Sequence, residues 1–198
     1  MQIIDNFLDP LNFNKLKEFV ESTEFPWFYV SHVSLPPGAV MTDPLAQETF
    51  GYNHMVYNEE DNSKSFAFST MSYILSAFEE TFGTKIKKLL RARMGMKHPK
   101  IGFTEDNYNL PHVDYFFPHA TLIYYINDSD GPTRIFDQVY TEETGEPNKF
   151  TVKTTVEPRA NRLVYLENGL VYHTAANPIT TDRRIVLNIN LILENTHG

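Results

Sequence analysis

The amino-acid sequence predicts an α+β protein in which two N-terminal helices pack against an antiparallel jelly roll. The first 84 residues contain two stretches with apolar residues at helical spacing, and seven short strand-like runs follow without crossover helices between them. Such a succession favours antiparallel pairing and a jelly roll. The chain has 198 residues, so we expect a single domain over 1–198, with helical support and a loop in 1–84 and the jelly-roll core in 85–193.

Two helices are expected before residue 85. Asp9 and Pro10 mark a helix start, because Asp caps free backbone N–H groups and Pro fits the first helical position. The second helix is expected over Ser65–Phe82, and Gly83 follows as a C-cap. Between the helices, Pro26–Lys64 is expected to be an irregular loop that covers a site.

The strand candidates are rich in β-branched and aromatic residues and are bounded by turn residues. They are Ile86–Met96, Ala120–Ile126, Thr133–Tyr140, Phe150–Val156, Arg162–Leu166, Val171–Thr174 and Arg184–Leu193. The segment Thr144–Asn148 is expected to form a hairpin turn between the third and fourth of them.

Composition excludes several kinds of site. Cysteine is absent, which rules out disulfides, thiolate zinc sites and iron–sulfur clusters, so any metal ligands are His and carboxylate. The N-terminus lacks the pattern of a signal peptide, and no apolar run is long enough to span a membrane. We therefore expect a cytoplasmic protein without a membrane partner.

The net charge of −8 argues against nucleic acid as a partner. Seven of the 17 basic residues nevertheless lie between Lys85 and Lys100, with no acidic residue among them. A solvated strand face is the expected explanation of this cluster, and a patch for an acidic partner is the alternative.

His112 and Asp114 carry the sharpest local signal. Residues two apart in an extended segment point to the same face, so these two side chains direct an imidazole and a carboxylate at one point. His173, on a later strand, can supply a third ligand. Two His and one carboxylate leave positions open on a metal ion, an arrangement typical of nonheme Fe(II) oxygenases.

Arg184 begins a strand in which it shares a face with Asn188 and Asn190. A guanidinium can hold a carboxylate through two parallel hydrogen bonds, which suits the far end of a dicarboxylic co-substrate. Arg183 points to the opposite face and is the alternative.

Taken in order, these motifs resemble the prolyl-4-hydroxylase-like branch of the Fe(II)/2-oxoglutarate oxygenase superfamily, roughly over 85–193. The segment His112-Val113-Asp114 is similar to the first two iron ligands of that family, and His173 is similar to the distal ligand. The spacing from Pro178 favours Arg184 as the 2-oxoglutarate ligand. Tyr125 resembles the Tyr that reaches the same carboxylate.

The resemblance implies a double-stranded β-helix, which is a form of jelly roll, with His112, Asp114 and His173 as catalytic metal ligands. It implies Fe(II), 2-oxoglutarate bound by Arg184 and Tyr125, and dioxygen, with hydroxylation of a C–H bond as the expected reaction. The expected substrate is a peptide, with a prolyl residue as one candidate, or a small molecule. Asp114 argues against the related halogenases, which have a small residue at that position.

One departure from the family pattern and two alternative classes stay open. Val186 stands where many relatives carry Ser, so one hydroxyl toward the co-substrate carboxylate is missing. A cupin-like metal-dependent isomerase or lyase would share the three ligands without needing Arg184, and a noncatalytic jelly-roll binding module is the third class. The remaining histidines are expected to be surface or structural residues; they are His32, His54, His98, His119 and His197.

Overall fold

Two helices lie in the part of the chain that the computed structural model describes, which is residues 1–33, 45–47, 49–143, 147 and 149–194. Helix α1 spans Pro10–Glu21, and Asp9 caps it by accepting hydrogen bonds from two backbone N–H groups. Helix α2 spans Phe68–Phe82 and ends at Gly83, whose φ of 61° is in the left-handed region. Both ends predicted by capping residues are confirmed. Neither helix is long and apolar enough to cross a membrane.

The strands of the described residues range in length from two to twelve residues. They are β1 (Gln2–Ile4), β2 (Phe28–Val30), β3 (Ala46–Gln47), β4 (Gly51–Asn58), β5 (Ser63–Lys64), β6 (Ile86–Lys97), β7 (Tyr108–Asn109), β8 (Ala120–Tyr125), β9 (Thr133–Val139), β10 (Val152–Val156), β11 (Arg162–Leu166), β12 (Val171–Ala175) and β13 (Arg184–Leu193).

A large sheet and a small sheet form a β-sandwich. The large sheet has the order β1-β11-β8-β13-β6-β4-β2, with β5 paired to β4, and the small sheet has the order β10-β9-β12. Neighbouring strands in both sheets are antiparallel, and side chains from the two sheets pack in one apolar cluster that includes Ile123, Val164 and Ile135. This arrangement confirms the predicted α+β jelly roll.

The main apolar core lies between the helices and the outer face of the large sheet. Leu16 and Val20 of α1 and Ile74 and Phe78 of α2 belong to the same buried cluster as the alternate apolar residues of β13. That second set comprises Ile185, Leu187, Ile189 and Leu191. The polar face of β13 is therefore turned toward the interior of the sandwich.

The prediction of an irregular Pro26–Lys64 loop is wrong for much of its described part, which contains β2 to β5. The longest of these strands, β4, pairs with β6 with a register shift between Met55 and Tyr57. A bulge of this kind breaks the alternation of apolar residues that reveals a strand in a sequence. Residues 34–44 and most of the predicted turn at 144–148 lie outside the described residues.

Asn161 joins the start of the chain to the sandwich. Its φ of 62° is left-handed, its Oδ1 accepts hydrogen bonds from the backbone N–H of Leu8 and the hydroxyl of Tyr124, and its Nδ2 donates to the carbonyl of Leu8. Asn tolerates this backbone conformation better than most residues. Asn161 thus adopts the left-handed backbone conformation of this turn and makes three buried hydrogen bonds with its side-chain amide.

We expect Asn161→Ala to lower the free energy of unfolding by about 3 kcal/mol, because it leaves buried hydrogen-bonding groups without partners and strains the backbone. Urea denaturation measures the loss. Asn62→Ala is the matched control, since Asn62 also has a positive φ, of 53°, but is exposed. It should cost about 1 kcal/mol. Equal losses in the two variants would show that the Asn161 hydrogen bonds contribute nothing.

Candidate active site

His112, Asp114 and His173 converge inside the sandwich. His173 lies in the middle of β12, and the segment after β7 forms an isolated antiparallel bridge with it, in which His112 and His173 exchange two backbone hydrogen bonds of 3.0 Å. One potential ligand atom from each of the three side chains lies within 4.8 Å of the others. The structure therefore brings together the three residues that the sequence singled out.

Both imidazoles are held in the same tautomer. Nδ1 of His112 lies 3.0 Å from the carbonyl oxygen of Leu110, and Nδ1 of His173 lies 3.2 Å from that of Val171. A carbonyl oxygen can only accept, so each Nδ1 carries the proton and each Nε2 keeps a free electron pair. Nε2 of His173 is buried and has no hydrogen-bond partner in the described part of the chain.

Asp114 is fixed by three side chains around a carboxylate that is only 2% exposed. One oxygen accepts a hydrogen bond of 2.5 Å from Arg91, and the other accepts from the amides of Asn188, at 3.2 Å, and Asn190, at 2.9 Å. The same second oxygen lies 3.6 Å from Nε2 of His173, which is too long for a hydrogen bond. Arg91 and both Asn side chains thus orient the carboxylate toward the two imidazoles.

The charges of this group shift its pKa values in different directions. Burial and the neighbouring His173 lower the pKa of His112 to about 4. Burial alone would lower the pKa of His173, but the carboxylate of Asp114 outweighs it and raises that pKa. Burial would raise the pKa of Asp114, yet the imidazole of His173 and the guanidinium of Arg91 hold it well below its ordinary value. Asp114 is therefore an anion at neutral pH.

A cavity extends from the two imidazoles toward the beginning of β13. Its lining includes His112, His173, Thr133 and Arg184. Arg184 is 3% exposed, and its guanidinium donates hydrogen bonds of 2.8 Å to the carbonyl of Gly131 and the hydroxyl of Thr133. Gly131 is required there, because a Cβ would lie 2.7 Å from the backbone nitrogen of Pro178.

The two adjacent arginines point in opposite directions. Arg184 enters the cavity, whereas Arg183 is at the surface, where its guanidinium lies 3.3 Å from the carboxylate of Glu21. Tyr125 is fully buried beside Arg184, with the guanidinium carbon 5.5 Å from the centre of its ring. Its hydroxyl donates to Thr133, and it is Thr133 rather than Tyr125 that belongs to the described lining of the cavity.

Sequence reasoning missed several residues of this site. Arg91 and the cavity-lining Arg93 and Lys97 belong to the basic cluster that was expected to be a solvated face. That expectation is wrong for these three residues, which lie on the inner face of β6. Their spacing of two and four residues was the available signal. Thr133 and the cavity-lining His32 gave no comparable signal.

The sequence matches no family model and no curated protein. Solved structures, in contrast, resemble it over 96% of its length. The non-heme α-ketoglutarate-dependent epimerase SnoN from nogalamycin biosynthesis has a TM-score of 0.60 at 14% identity, with 77% of that chain covered. A prolyl hydroxylase from Trichoplax adhaerens, in complex with a hypoxia inducible factor peptide fragment, has a TM-score of 0.58 at 14% identity, with 82% covered.

A third structure is an oxidoreductase of the 2OG-Fe(II) oxygenase family from Burkholderia pseudomallei. Its TM-score is 0.60 at 10% identity, with 96% of this chain and 83% of that chain covered. Identities this low carry information about the fold and not about the substrate. The chain therefore has the double-stranded β-helix fold of the 2-oxoglutarate- and Fe(II)-dependent oxygenases.

Proposed function

We propose that the protein is an Fe(II)- and 2-oxoglutarate-dependent oxygenase that hydroxylates a C–H bond of a small molecule or a peptide. One observation carries this proposal. In a fold used by such oxygenases, His112 and His173 of the His–Asp–His group line one cavity together with the buried Arg184, and no carboxylate is among the described residues that line it. The group suits a metal ion, and Arg184 suits the distal carboxylate of the co-substrate.

The three proposed ligands fit Fe(II). Two neutral imidazole nitrogens and one carboxylate are the donor set of nonheme Fe(II) oxygenases, and three protein ligands leave positions open for other molecules. The free electron pair of buried Nε2 in His173 lacks a partner in the protein, which a bound cation would provide. Arg91, Asn188 and Asn190 orient the carboxylate and so hold the metal geometry indirectly.

Arg184 and Thr133 are the proposed ligands of the distal carboxylate of 2-oxoglutarate. The Arg184 side chain is already fixed by Gly131 and Thr133, so little conformational entropy is lost when it binds an anion. Thr133 supplies a hydroxyl in the region where Val186 replaces the Ser of many relatives. The hydroxyl of Tyr125 donates a hydrogen bond to Thr133 and so orients this pair.

Bound Fe(II), 2-oxoglutarate and dioxygen together supply the oxidation, in which one oxygen atom enters the substrate and the other enters succinate with release of carbon dioxide. The protein contributes binding, orientation and exclusion of water. His112 and His173 direct their Nδ1 protons to backbone carbonyls, so in the neutral imidazoles both Nε2 atoms are available as ligands. A prolyl residue of a peptide is one candidate substrate. The cytoplasm stays the predicted location of the protein.

The direct test is an anaerobic titration of the purified protein with Fe(II) and 2-oxoglutarate, followed by exposure to oxygen and measurement of succinate. We expect succinate formation that requires both additions. Metal binding without any 2-oxoglutarate binding would instead favour the cupin-like isomerase or lyase. Absence of metal binding would favour the noncatalytic module.

Asp114→Gly is expected to abolish succinate formation and to weaken Fe(II) binding strongly, because Gly supplies neither the ligand nor the negative charge. Asp114→Glu should also be poorly active, since the extra methylene displaces the oxygens from Arg91 and the two Asn amides. Metal titration and the succinate assay report both effects. Asp137→Ala, a change at an exposed carboxylate of β9, is the control and should behave like the wild type. Full activity of Asp114→Gly would refute its role as a ligand.

Arg184→Met is expected to raise the dissociation constant of 2-oxoglutarate by about 10² to 10³, because removing one member of a buried charge pair costs about 3–5 kcal/mol. Fe(II) binding should be retained. Arg183→Met, at the surface, should change the constant less than about threefold. Both constants come from anaerobic titrations of the iron-loaded variants. A large loss in Arg183→Met alone would exchange the two roles.

Metal affinity is expected to fall as the pH is lowered below the pKa of His173, with a slope of one proton rather than two until the pH approaches the pKa of His112, about 4. His173 has a raised pKa and must lose its proton before it binds a metal, whereas the pKa of His112, about 4, keeps it neutral throughout this range. Each pH unit below the pKa of His173 then weakens binding about tenfold. Titration with Mn(II) at several pH values measures the slope. An affinity that is constant over this range contradicts the assignment of His173.

A further inference from the structure

The inner face of β6 presents basic side chains at alternate positions, beside the polar face of β13. The two strands are paired so that each inward residue of one faces an inward residue of the other. Going away from the His–Asp–His group, called the metal group below, these pairs are Arg91 with Asn190, Arg93 with Asn188, Gly95 with Val186, and Lys97 with Arg184. The cavity is therefore bounded along one side by a row of cations.

Two of these cations, Arg93 and Lys97, have neither an ion pair nor a hydrogen bond among the described residues. Arg91 is paired with Asp114, and Arg184 is held by Gly131 and Thr133. The ammonium of Lys97, in contrast, has no hydrogen-bond partner among the described residues, and the residue is only 6% exposed. Arg93 makes no hydrogen bond or ion pair with any residue that the structure describes, and the carboxylate of Asp114 attracts it only at longer range. Charged groups are rarely buried unless they are paired.

The charges of iron and 2-oxoglutarate do not remove this excess. Asp114 and Arg91 cancel each other, and the two positive charges of Fe(II) cancel the two negative charges of 2-oxoglutarate. Arg93 and Arg184, together with Lys97 when it is protonated, are then left as net positive charge around the cavity. Even if Arg184 alone neutralises the distal carboxylate, the other two cations still face the cavity. Burial and the charges of Arg184 and Arg93 hold the pKa of Lys97 well below its ordinary value, a direction that a bound anion reverses.

The space in front of these cations is open. Gly95 lies between Arg93 and Lys97 on the same face, and a Cβ built on it would meet no atom within 4 Å. Beside Gly95, on the paired strand β4, the lining includes the uncharged side chain of Asn53. Among the described lining residues there is no carboxylate that would repel an anion.

We propose that the primary substrate carries a carboxylate or a phosphate group and that Arg93 and Lys97 bind this group. The inference rests on the proposed function, since it places the anion in the same cavity as the iron and 2-oxoglutarate. Arg93 is paired with Asn188, which contacts Asp114, so it lies nearer to the metal group than Lys97 does. The substrate anion thus fixes the distance between the reacting C–H bond and the iron.

The test uses the full chain loaded with Fe(II) and saturated with N-oxalylglycine, an unreactive analogue of 2-oxoglutarate, under anaerobic conditions. Acetate and inorganic phosphate are titrated in a chloride-free buffer of constant ionic strength, with acetamide as the uncharged probe. We expect at least one of the two anions to bind at least tenfold more tightly than acetamide. The stronger of the two anions identifies the charged group of the substrate. Equal affinities for the anions and acetamide overturn the proposal.

Variants assign the binding to the two cations. Arg93→Met and Lys97→Met should each weaken binding of the better anion at least tenfold, while Lys87→Met, an exposed change on the same strand, should have no effect. The affinity for N-oxalylglycine should change less than threefold in both variants. A loss of N-oxalylglycine binding in Lys97→Met as large as that in Arg184→Met would assign Lys97 to the co-substrate and overturn the proposal.

Two readouts separate this inference from folding and from the proposed function. Removing an unpaired buried charge should raise the melting temperature of Lys97→Met in the absence of anions, and a lower melting temperature would show that Lys97 has a structural partner, against the proposal. If the wild type binds neither Fe(II) nor N-oxalylglycine, the proposed function fails. If it binds both and discriminates no anion from acetamide, only the further inference fails.

Discussion

The alternation of side chains along β13 is the constraint on which both the core and the site depend. Its apolar residues pack against the two helices, and its polar residues face the cavity and the carboxylate of Asp114. Because the repeat is two residues, a slip of one position would exchange the two sets and destroy both. Pairing with β6 on one side and β8 on the other fixes the register over the whole strand. Folding of the core thus assembles the site at the same time.

This coupling explains why much of the site was predictable from the sequence. The geometry of extended backbone places the side chains of His112 and Asp114, two residues apart, on one face. The same geometry turns the adjacent Arg183 and Arg184 in opposite directions. The helix ends followed from Asp9, Pro10 and Gly83, since capping is a local interaction. Where a feature depended on neighbours in sequence, residue types were enough to locate it.

Features that depend on distant neighbours were not predictable. The basic residues of β6 have the spacing of an inward face, but only the pairing with β13 turns them toward the cavity. Thr133 gains its place from hydrogen bonds to Arg184 and Tyr125, which lie on other strands. The bulge in β4 interrupts the two-residue alternation that would reveal this strand in the sequence. Strands β2 and β3 are too short to show such an alternation. In each case tertiary contacts, not propensity, decide the structure.

Arg93 and Lys97 of β6, which lack hydrogen-bond partners among the described residues, also affect the stability of the chain against unfolding and degradation. A charge buried without a partner destabilises the fold, and an anion that binds only the folded chain offsets this by mass action, by about 2.7 kcal/mol at a hundredfold excess over its dissociation constant. A difference of this size changes the unfolded fraction about a hundredfold, and cellular proteases act on that fraction. If Arg93, Lys97 and Arg184 bind the proposed anions, their arrangement couples the abundance of the protein to the supply of those anions.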